Sequence, residues 1–294
     1  MDGRACQYLF AGTTLLFSLM SVSNHAEGAT LPSEPSEVLM PFEKQTFTLP
    51  NKRRMNCHQR QGVGATLVLV PGTWGDIHRF ESLLAELPEE LPVVVVELCW
   101  QGGQVPPSLE LSIEGLADDV LWVMGELGLE RFYVGGHSIG GMIAIEIAGR
   151  GIPGLLGVLP MEGWTHHTVV ETAFDGIVVG DLTPEQEARR QADRARGRGH
   201  LSDEQLRTIS TIWRHWNGFD CLRRANAPVL SIWGDRGRPR PNRKALQIPE
   251  RPSVEVGWVA GASHLLLTER PEAVAELMLS FLQHNPWQPV VEIP

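Results

Sequence analysis

Cysteine is scarce in this chain: of four in 294 residues, Cys6 lies near the N-terminus, leaving Cys57, Cys99 and Cys221. Three thiols allow at most one disulfide and a spare; spacing does not select a pair, and Cys99 closes an apolar run where a buried free thiol is equally at home. No group of Cys and His has metal-ligand spacing, so no metal is implied. An excess of positive charge is missing as well. The net charge is −10, no basic patch stands out, and nucleic acid is not expected as a partner; the acidity argues mainly for solubility. There is no internal repeat and no low-complexity tract. Function must therefore come from sites on an ordinary globular core, which a chain of this length and apolar content can bury.

The first residues stand apart. Arg4 precedes an uncharged run from Tyr8 to Val22, with small residues at Ser21, Ser23 and Ala26. Residues 1–26 are read as a signal peptide, cleaved after Ser23 or Ala26, which places the mature chain outside the cytoplasm and leaves it with no stable membrane insertion. The alternative is a membrane anchor, but the run falls short of the roughly 20 apolar residues that cross a bilayer, and Thr13, Thr14 and Ser18 dilute it. Residues 27–41, with their prolines, serines and glutamates, read as a linker.

Beyond the linker, strand-like stretches at Phe42 to Leu49 and Lys52 to Gln59 flank Pro50-Asn51, a hairpin turn. The runs Ala65 to Val70 and Val93 to Leu98 are dominated by aliphatic and β-branched residues, as strands buried on both faces of a parallel sheet are. Helical patterns at Ile77 to Leu87 and Ser112 to Leu127 alternate with them. A strand ending at Val134, an apolar helix over Met142 to Ala148 and a strand over Leu155 to Met161 continue the alternation. Gly163 to Asn226 then interrupts it, with capping boxes at Thr183/Gln186 and Ser202/Gln205 starting two helices. Strands at Pro228 to Trp233 and Ser253 to Val259 and a helix over Pro271 to Gln283 close the chain. The expected fold is α/β: a doubly wound, mostly parallel sheet from residues 42–162 and 227–285, with a helical cap, residues 163–226, inserted after the sixth strand.

The chemistry centres on Gly136-His137-Ser138-Ile139-Gly140, a G-x-S-x-G sequence between a strand and a helix. At so sharp a turn the serine is strained with its hydroxyl exposed, and the glycines remove Cβ atoms that would collide. A serine hydroxyl is a weak nucleophile and needs a base, a group to orient that base, and donors for a developing oxyanion. His264, in the loop between the last strand and the last helix, is the candidate base. His166 and His167 are adjacent and would point apart in regular structure, and His58, His78, His200, His215 and His284 lie in polar, surface-like segments. The backbone N–H of Ile139 and one from the loop Pro71-Gly72-Thr73-Trp74 are candidate oxyanion donors.

In the order of nucleophile elbow, oxyanion loop, strand-loop-histidine and helical insertion, the chain from Phe42 to Gln283 resembles the α/β-hydrolase superfamily. The resemblance implies Ser138 as nucleophile, His264 as base, and Thr73 with Ile139 as oxyanion donors. Pro71-Gly72 stands where relatives carry His-Gly. Family members commonly place the acid three residues after the glycine ending the seventh strand, which is Gly237 here, with Asp235 two residues early. An arrangement resembling that of some haloalkane dehalogenases puts it at the end of the sixth strand, where Glu162 lies. Glu162 is the first candidate acid and Asp235 the second; the bland alternatives are an ion pair for Glu162 and a turn aspartate for Asp235.

The implied activity is that of a serine hydrolase cleaving a small ester, lactone or related acyl compound through an acyl-enzyme, without cofactor or metal. A serine at the elbow argues against epoxide hydrolase and dehalogenase chemistry, which use a carboxylate there. Trp164, Phe174, Trp213, Trp216 and Phe219 of the insertion, with Trp74 and Trp100, suggest an apolar acyl or alcohol pocket, with packing of the cap core as the alternative for any single Trp. The run Arg189, Arg190, Arg194, Arg196 and Arg198 reads as a solvated helix face, with an acidic substrate group as the alternative. Two further readings keep the fold: an acyltransferase, and a non-catalytic ligand-binding protein.

Overall fold

The computed structural model describes residues 42–285; the signal-peptide and linker readings concern residues outside that span. Eight strands form one sheet in the order β1-β2-β4-β3-β5-β6-β7-β8. They are β1 (Glu43–Thr48), β2 (Arg54–Arg60), β3 (Thr66–Val70), β4 (Val93–Val96), β5 (Phe132–His137), β6 (Leu155–Met161), β7 (Val229–Gly234) and β8 (Val254–Val259). β1 and β2 form the expected antiparallel hairpin, β2 also runs against β4, and every other pairing is parallel. All four valines of β4 and all six residues of β5 are buried, as strands covered on both faces of the sheet are.

The chain leaves β3 for β4 on one side and β5 on the other. Where strand order reverses in this way, the loops at the strands' carboxyl ends open a crevice. The loop after β3 carries Thr73 and the turn after β5 carries Ser138, so both fall at that point. Glu162 follows β6, Asp235 and Arg236 follow β7, and His264 follows β8.

The helices flanking the sheet are α1 (Glu81–Ala85), α2 (Ile113–Glu126), α3 (Ile139–Ala148), α8 (Leu266–Glu269) and α9 (Pro271–His284). Ser112 caps α2 by accepting from Gly115 N at 3.1 Å. The helical stretch expected over Ile77 to Leu87 is broken into a 3-10 turn, Ile77–Phe80, and the short α1, because Asp76 accepts from His78 N and tightens the first turn. β4 stops at Val96 rather than Leu98, since the Leu98 N–H goes to Gln101 Oε1 at 2.8 Å.

Between β6 and β7 lie α4 (Val169–Phe174), α5 (Pro184–Arg198), α6 (Asp203–Ile209), a 3-10 turn (Ile212–His215) and α7 (Phe219–Arg224). Both capping boxes form, at Thr183/Gln186 and Ser202/Gln205. The α5 arginines keep part of their surface in solvent but are also paired across to the core. Arg79, just beyond the loop that follows β3, meets Asp193 at 3.1 Å with both side chains buried. Arg196 bridges Asp193 and Asp76, and Arg189 reaches Glu81. Arg198 sits over the Trp74 ring, 5.3 Å from its centroid. Gly197 brings the helix onto the Trp74 backbone so closely that a Cβ there would lie 2.3 Å from the Trp74 carbonyl oxygen. The helix is basic because the core surface beneath it offers Asp76 and Glu81.

Several smaller points are decided as well. Cys57, Cys99 and Cys221 are separate buried thiols with no disulfide among them, and burial pushes each up to about 12. His58 is buried in β2 with Nε2 3.3 Å from Glu97 Oε1, and His200 Nε2 lies 3.0 Å from the Trp100 carbonyl. Neither is solvated. His166 and His167 lie in irregular backbone, where the alternation rule lapses, and their ring centroids are 4.1 Å apart. Among the described residues, no helix is long and apolar enough to cross a membrane.

Candidate active site

Ser138 occupies the tight turn between β5 and α3 with φ 56° and ψ −118°, a conformation that costs a non-glycine residue on the order of 1–3 kcal/mol. Its neighbours hold it there. Ser138 N donates to the Met161 carbonyl at 2.9 Å, continuing the β5–β6 ladder, while its own carbonyl accepts from Met142 N at 3.0 Å as the first turn of α3. The turn closes so tightly that a Cβ on Gly140 would lie 2.0 Å from the Val70 carbonyl oxygen, and one on Gly136 2.4 Å from Gly140. Only glycine fits at either place. Ile139, as the first residue of α3, has an N–H without an intrahelical acceptor.

The loop after β3 is held from below by two side chains that sequence reasoning did not assign. Gln101 Nε2 donates to the Gly72 carbonyl at 2.6 Å, and Trp100 Nε1 to the Thr73 carbonyl at 2.8 Å. Because a trans peptide is planar, fixing the Gly72 oxygen turns the Thr73 N–H the opposite way. Trp100 is fully buried and belongs to this scaffold, not to a pocket wall. Glu97 completes the support: Oε1 accepts from Ile77 N at 3.0 Å and Oε2 from Asn56 Nδ2 at 2.9 Å.

His264 is brought back from β8 across the end of β7. Asp235 N donates to the Val259 carbonyl and Arg236 N to the Ala262 carbonyl, so the 259–264 loop lies over the β7 turn. The His264 ring sits between the His137 ring, 4.8 Å away, and the Trp164 ring, 5.3 Å away. His137 Nε2 donates to the His264 carbonyl at 2.6 Å. Complete burial, then His264 and Arg79, push the His137 imidazole well below the usual histidine range, so it is neutral and serves as a strut. Among the described residues Ser138 Oγ makes no hydrogen bond to His264; the two are linked through His137, the residue before the serine.

Glu162 meets the histidine. Its Oε2 is 3.3 Å from His264 Nδ1, which leaves Nε2 of that ring as the acceptor. The carboxylate is fully buried at a residue with φ 51°, beyond the end of β6. Gly234 N donates to Oε1 at 2.8 Å, and Arg236 straddles the group, with Nη1 2.8 Å from Oε1 and Nη2 2.7 Å from Oε2. Burial alone would raise this carboxyl. The Arg236 charge and hydrogen bonds, with those of His264, prevail and hold it down at about 2, so it is ionised.

Asp235 does not take that place. Its Oδ1 accepts from Gly237 N at 2.9 Å and Gly261 N at 2.7 Å, and its Oδ2 faces Arg240 at 3.5 Å. It is a turn aspartate that ties the β7 and β8 loops together. Arg236 went unnoticed because Gly-Asp-Arg-Gly carries no periodic or motif signal.

Of the aromatic residues expected to line a pocket, Trp164 and Trp213 pack edge to face, Phe174 stacks on Trp233, and Trp216 Nε1 donates to Glu146. Phe219 is exposed. A cleft of about 320 Å3 lined by Ser112, Glu114, Thr211, His215 and Trp216, among others, includes none of Ser138, His264, Glu162, Asp235, Thr73 and Ile139. No cluster of His, Cys, Asp or Glu suited to a metal occurs among the described residues.

Known proteins are similar to this chain in sequence and in fold. A 2-succinyl-6-hydroxy-2,4-cyclohexadiene-1-carboxylate synthase of Yersinia pestis (strain Pestoides F) is 26% identical over 257 residues, covering 77% of this chain and 90% of that protein. The enol-lactonase of Burkholderia xenovorans LB400 superposes with a TM-score of 0.63 at 17% identity, over 81% of this chain and all of that one. An E-2-(acetamidomethylene)succinate hydrolase gives 0.63 at 17% identity, over 83% of this chain and all of that one. Residues 67–277 match the model of the alpha/beta hydrolase family, a span that begins in β3, before the Thr73 loop, and ends past His264. With that span taking in elbow, loop, insertion and histidine together, the chain belongs to the alpha/beta hydrolase family.

Proposed function

We propose that the protein is a serine hydrolase acting on a small ester, lactone or related acyl compound, with Ser138 as nucleophile, His264 as base and Glu162 as the acid that orients it. The observation that carries this reading is the 3.3 Å approach of Glu162 Oε2 to His264 Nδ1 beside the strained Ser138 turn. Nδ1–H donates to the ionised carboxylate, so Nε2 is free to take the Ser138 proton as Oγ attacks the carbonyl. The Ser138–His264 hydrogen bond forms on substrate binding, as catalytic contacts that are loose in a free enzyme often do. The oxyanion is received by the N–H groups of Thr73 and Ile139. His264 returns the proton to the leaving group, and water, activated in the same way, releases the acyl group from Ser138. Residues 163–226 act as the cap over this site, with the Trp164 face beside His264 favouring an apolar acyl chain.

A second reading has one observation behind it. The relative at 26% identity is a synthase, so the same Ser-His pair here would serve a reaction that water does not complete. Turnover of p-nitrophenyl esters and labelling by a fluorophosphonate probe test both. Ser138→Ala and His264→Ala are expected to abolish turnover, and Glu162→Gln to lower it roughly 100-fold or more. Asp235→Asn, which keeps the oxygen that accepts both amides, should stay within a few-fold of wild type. Labelling without ester turnover would favour the second reading. A wild-type protein inert to esters and to the probe would end the hydrolase proposal, and a crippling Asp235→Asn would move the acid.

A further inference from the structure

We infer that Arg236 is a positioning residue: its two-pronged ion pair aims the Glu162 carboxylate at His264 Nδ1 and links that carboxylate to residues 174–178 of the helical insertion. The inference rests on the roles just proposed for Ser138, His264 and Glu162 and deepens them.

The carboxylate's contacts make the case. Glu162 Oε1 receives Gly234 N and Arg236 Nη1; Oε2 receives Arg236 Nη2 at 2.7 Å and faces His264 at 3.3 Å. Three donors other than the histidine therefore fix the carboxylate plane, and two of the three belong to Arg236. Without the guanidinium, a single backbone amide would hold a group whose direction must suit an imidazole. A planar fork does this as a point charge cannot.

Arg236 is itself fixed from the other side. Its side chain is 2% exposed. The guanidinium carbon lies 3.7 Å from the centroid of the Phe174 ring, Nε donates to the Ile177 carbonyl at 3.1 Å, and Nη1 also donates to the Gly234 carbonyl. One residue further along the insertion, the Val178 carbonyl accepts from His264 N at 3.0 Å. Residues 174–178 thus touch both the arginine that aims the acid and the backbone of the base. A shift of that segment would reach the acid and the histidine together.

The charge has a consequence that a packing role lacks. With His264 neutral, Glu162 and Arg236 cancel; a proton on the imidazole leaves the group with one positive charge. Removing the guanidinium favours that proton, so the His264–Glu162 pair should titrate at higher pH, by about one unit or more for a charge this close. The other groups around the pair stay in place. From β5 there is neutral His137, and beyond it Arg79 paired with Asp193. From α8 there is Glu269, bound to Ser263 N and Oγ, and from the β7 turn Asp235, bound to its two amides. The insertion adds the uncharged Trp164 ring.

The test uses the folded protein with histidine-selective labelling, the His264 NMR signal being assigned by its loss in His264→Gln. Its titration midpoint is followed in wild type, Arg236→Gln and Arg236→Lys, with the pH dependence of fluorophosphonate labelling as a second readout. In Arg236→Gln the midpoint should rise by about one unit or more, and the acid limb of labelling should rise with it. Arg236→Lys keeps the charge and loses the fork: the midpoint should stay within about 0.3 units while labelling slows several-fold. An unmoved midpoint in folded Arg236→Gln would overturn the inference, as would a Lys variant that labels at the wild-type rate. If Arg236→Gln does not fold, the Lys variant decides, and a Lys midpoint displaced by a full unit counts against the inference. A wild type that resists the probe removes the hydrolase reading, yet the His264 titration still judges Arg236 separately.

Discussion

Replacing Glu162 with glutamine should reveal how much stability the buried pair contributes and over which pH range. The carboxylate is fully buried and Arg236 is 2% exposed, so solvent screening is slight. At 1.36 kcal/mol per pH unit, a carboxyl held at about 2 in the folded chain against 4.5 as the unperturbed value contributes about 3 kcal/mol at pH 7. Breaking a buried pair by removing one partner costs roughly 3–5 kcal/mol, an independent figure of the same size. The folded value lies below the unfolded one. The contribution is therefore complete above about pH 5, declines as pH falls from 4.5 toward 2, and retains roughly 1 kcal/mol at pH 3. Urea unfolding of wild type and Glu162→Gln, followed by tryptophan fluorescence at pH 7, 5 and 3, reads this directly. The two proteins should differ by about 3 kcal/mol at pH 7 and 5 and by less than half of that at pH 3. A gap under about 1 kcal/mol at pH 7, or one that does not close toward pH 3, would refute the reasoning.

Three further outcomes are expected. Gln101→Ala frees the Gly72 carbonyl and should lower kcat roughly 10-fold or more with little change in KM, in ester kinetics, because the loop's donor is then less well aimed. Asp193→Ala leaves Arg79 buried without its carboxylate and should cost about 3 kcal/mol, with faster hydrogen exchange across 184–198 than in the sheet. In a Cys6→Ser background, Cys57, Cys99 and Cys221 should resist Ellman's reagent at pH 8 until the protein is unfolded, since each is buried with its thiol pushed up to about 12.

The elbow, the sheet and its helices were legible because they depend on short-range signals. Val93–Val96 is an unbroken run of valines, as a strand covered on both faces favours, and glycine at 136 and 140 announces a turn with no room for a Cβ. Thr183 and Ser202 carry their capping partners three residues on, so both boxes could be read in one dimension. His58 and His200 were misjudged for the converse reason. A polar neighbourhood in sequence says nothing of Glu97 opposite His58 across the fold, or of the Trp100 carbonyl that meets His200.

The sequence alone determined that a strained serine would stand between a buried strand and a buried helix, because hydrophobic periodicity and glycine sterics are properties of adjacent residues. The resemblance to the family narrowed the candidate acid to Glu162 and Asp235. Only the tertiary structure decided which of them lies against His264, since that depends on strand order: β6 adjoins the serine's strand, and the β8 loop crosses the β7 turn to reach it. Arg236, Gln101 and the Trp100 indole act through contacts spanning 27 to 74 positions of the chain, and such contacts exist only once the sheet has set its strands side by side.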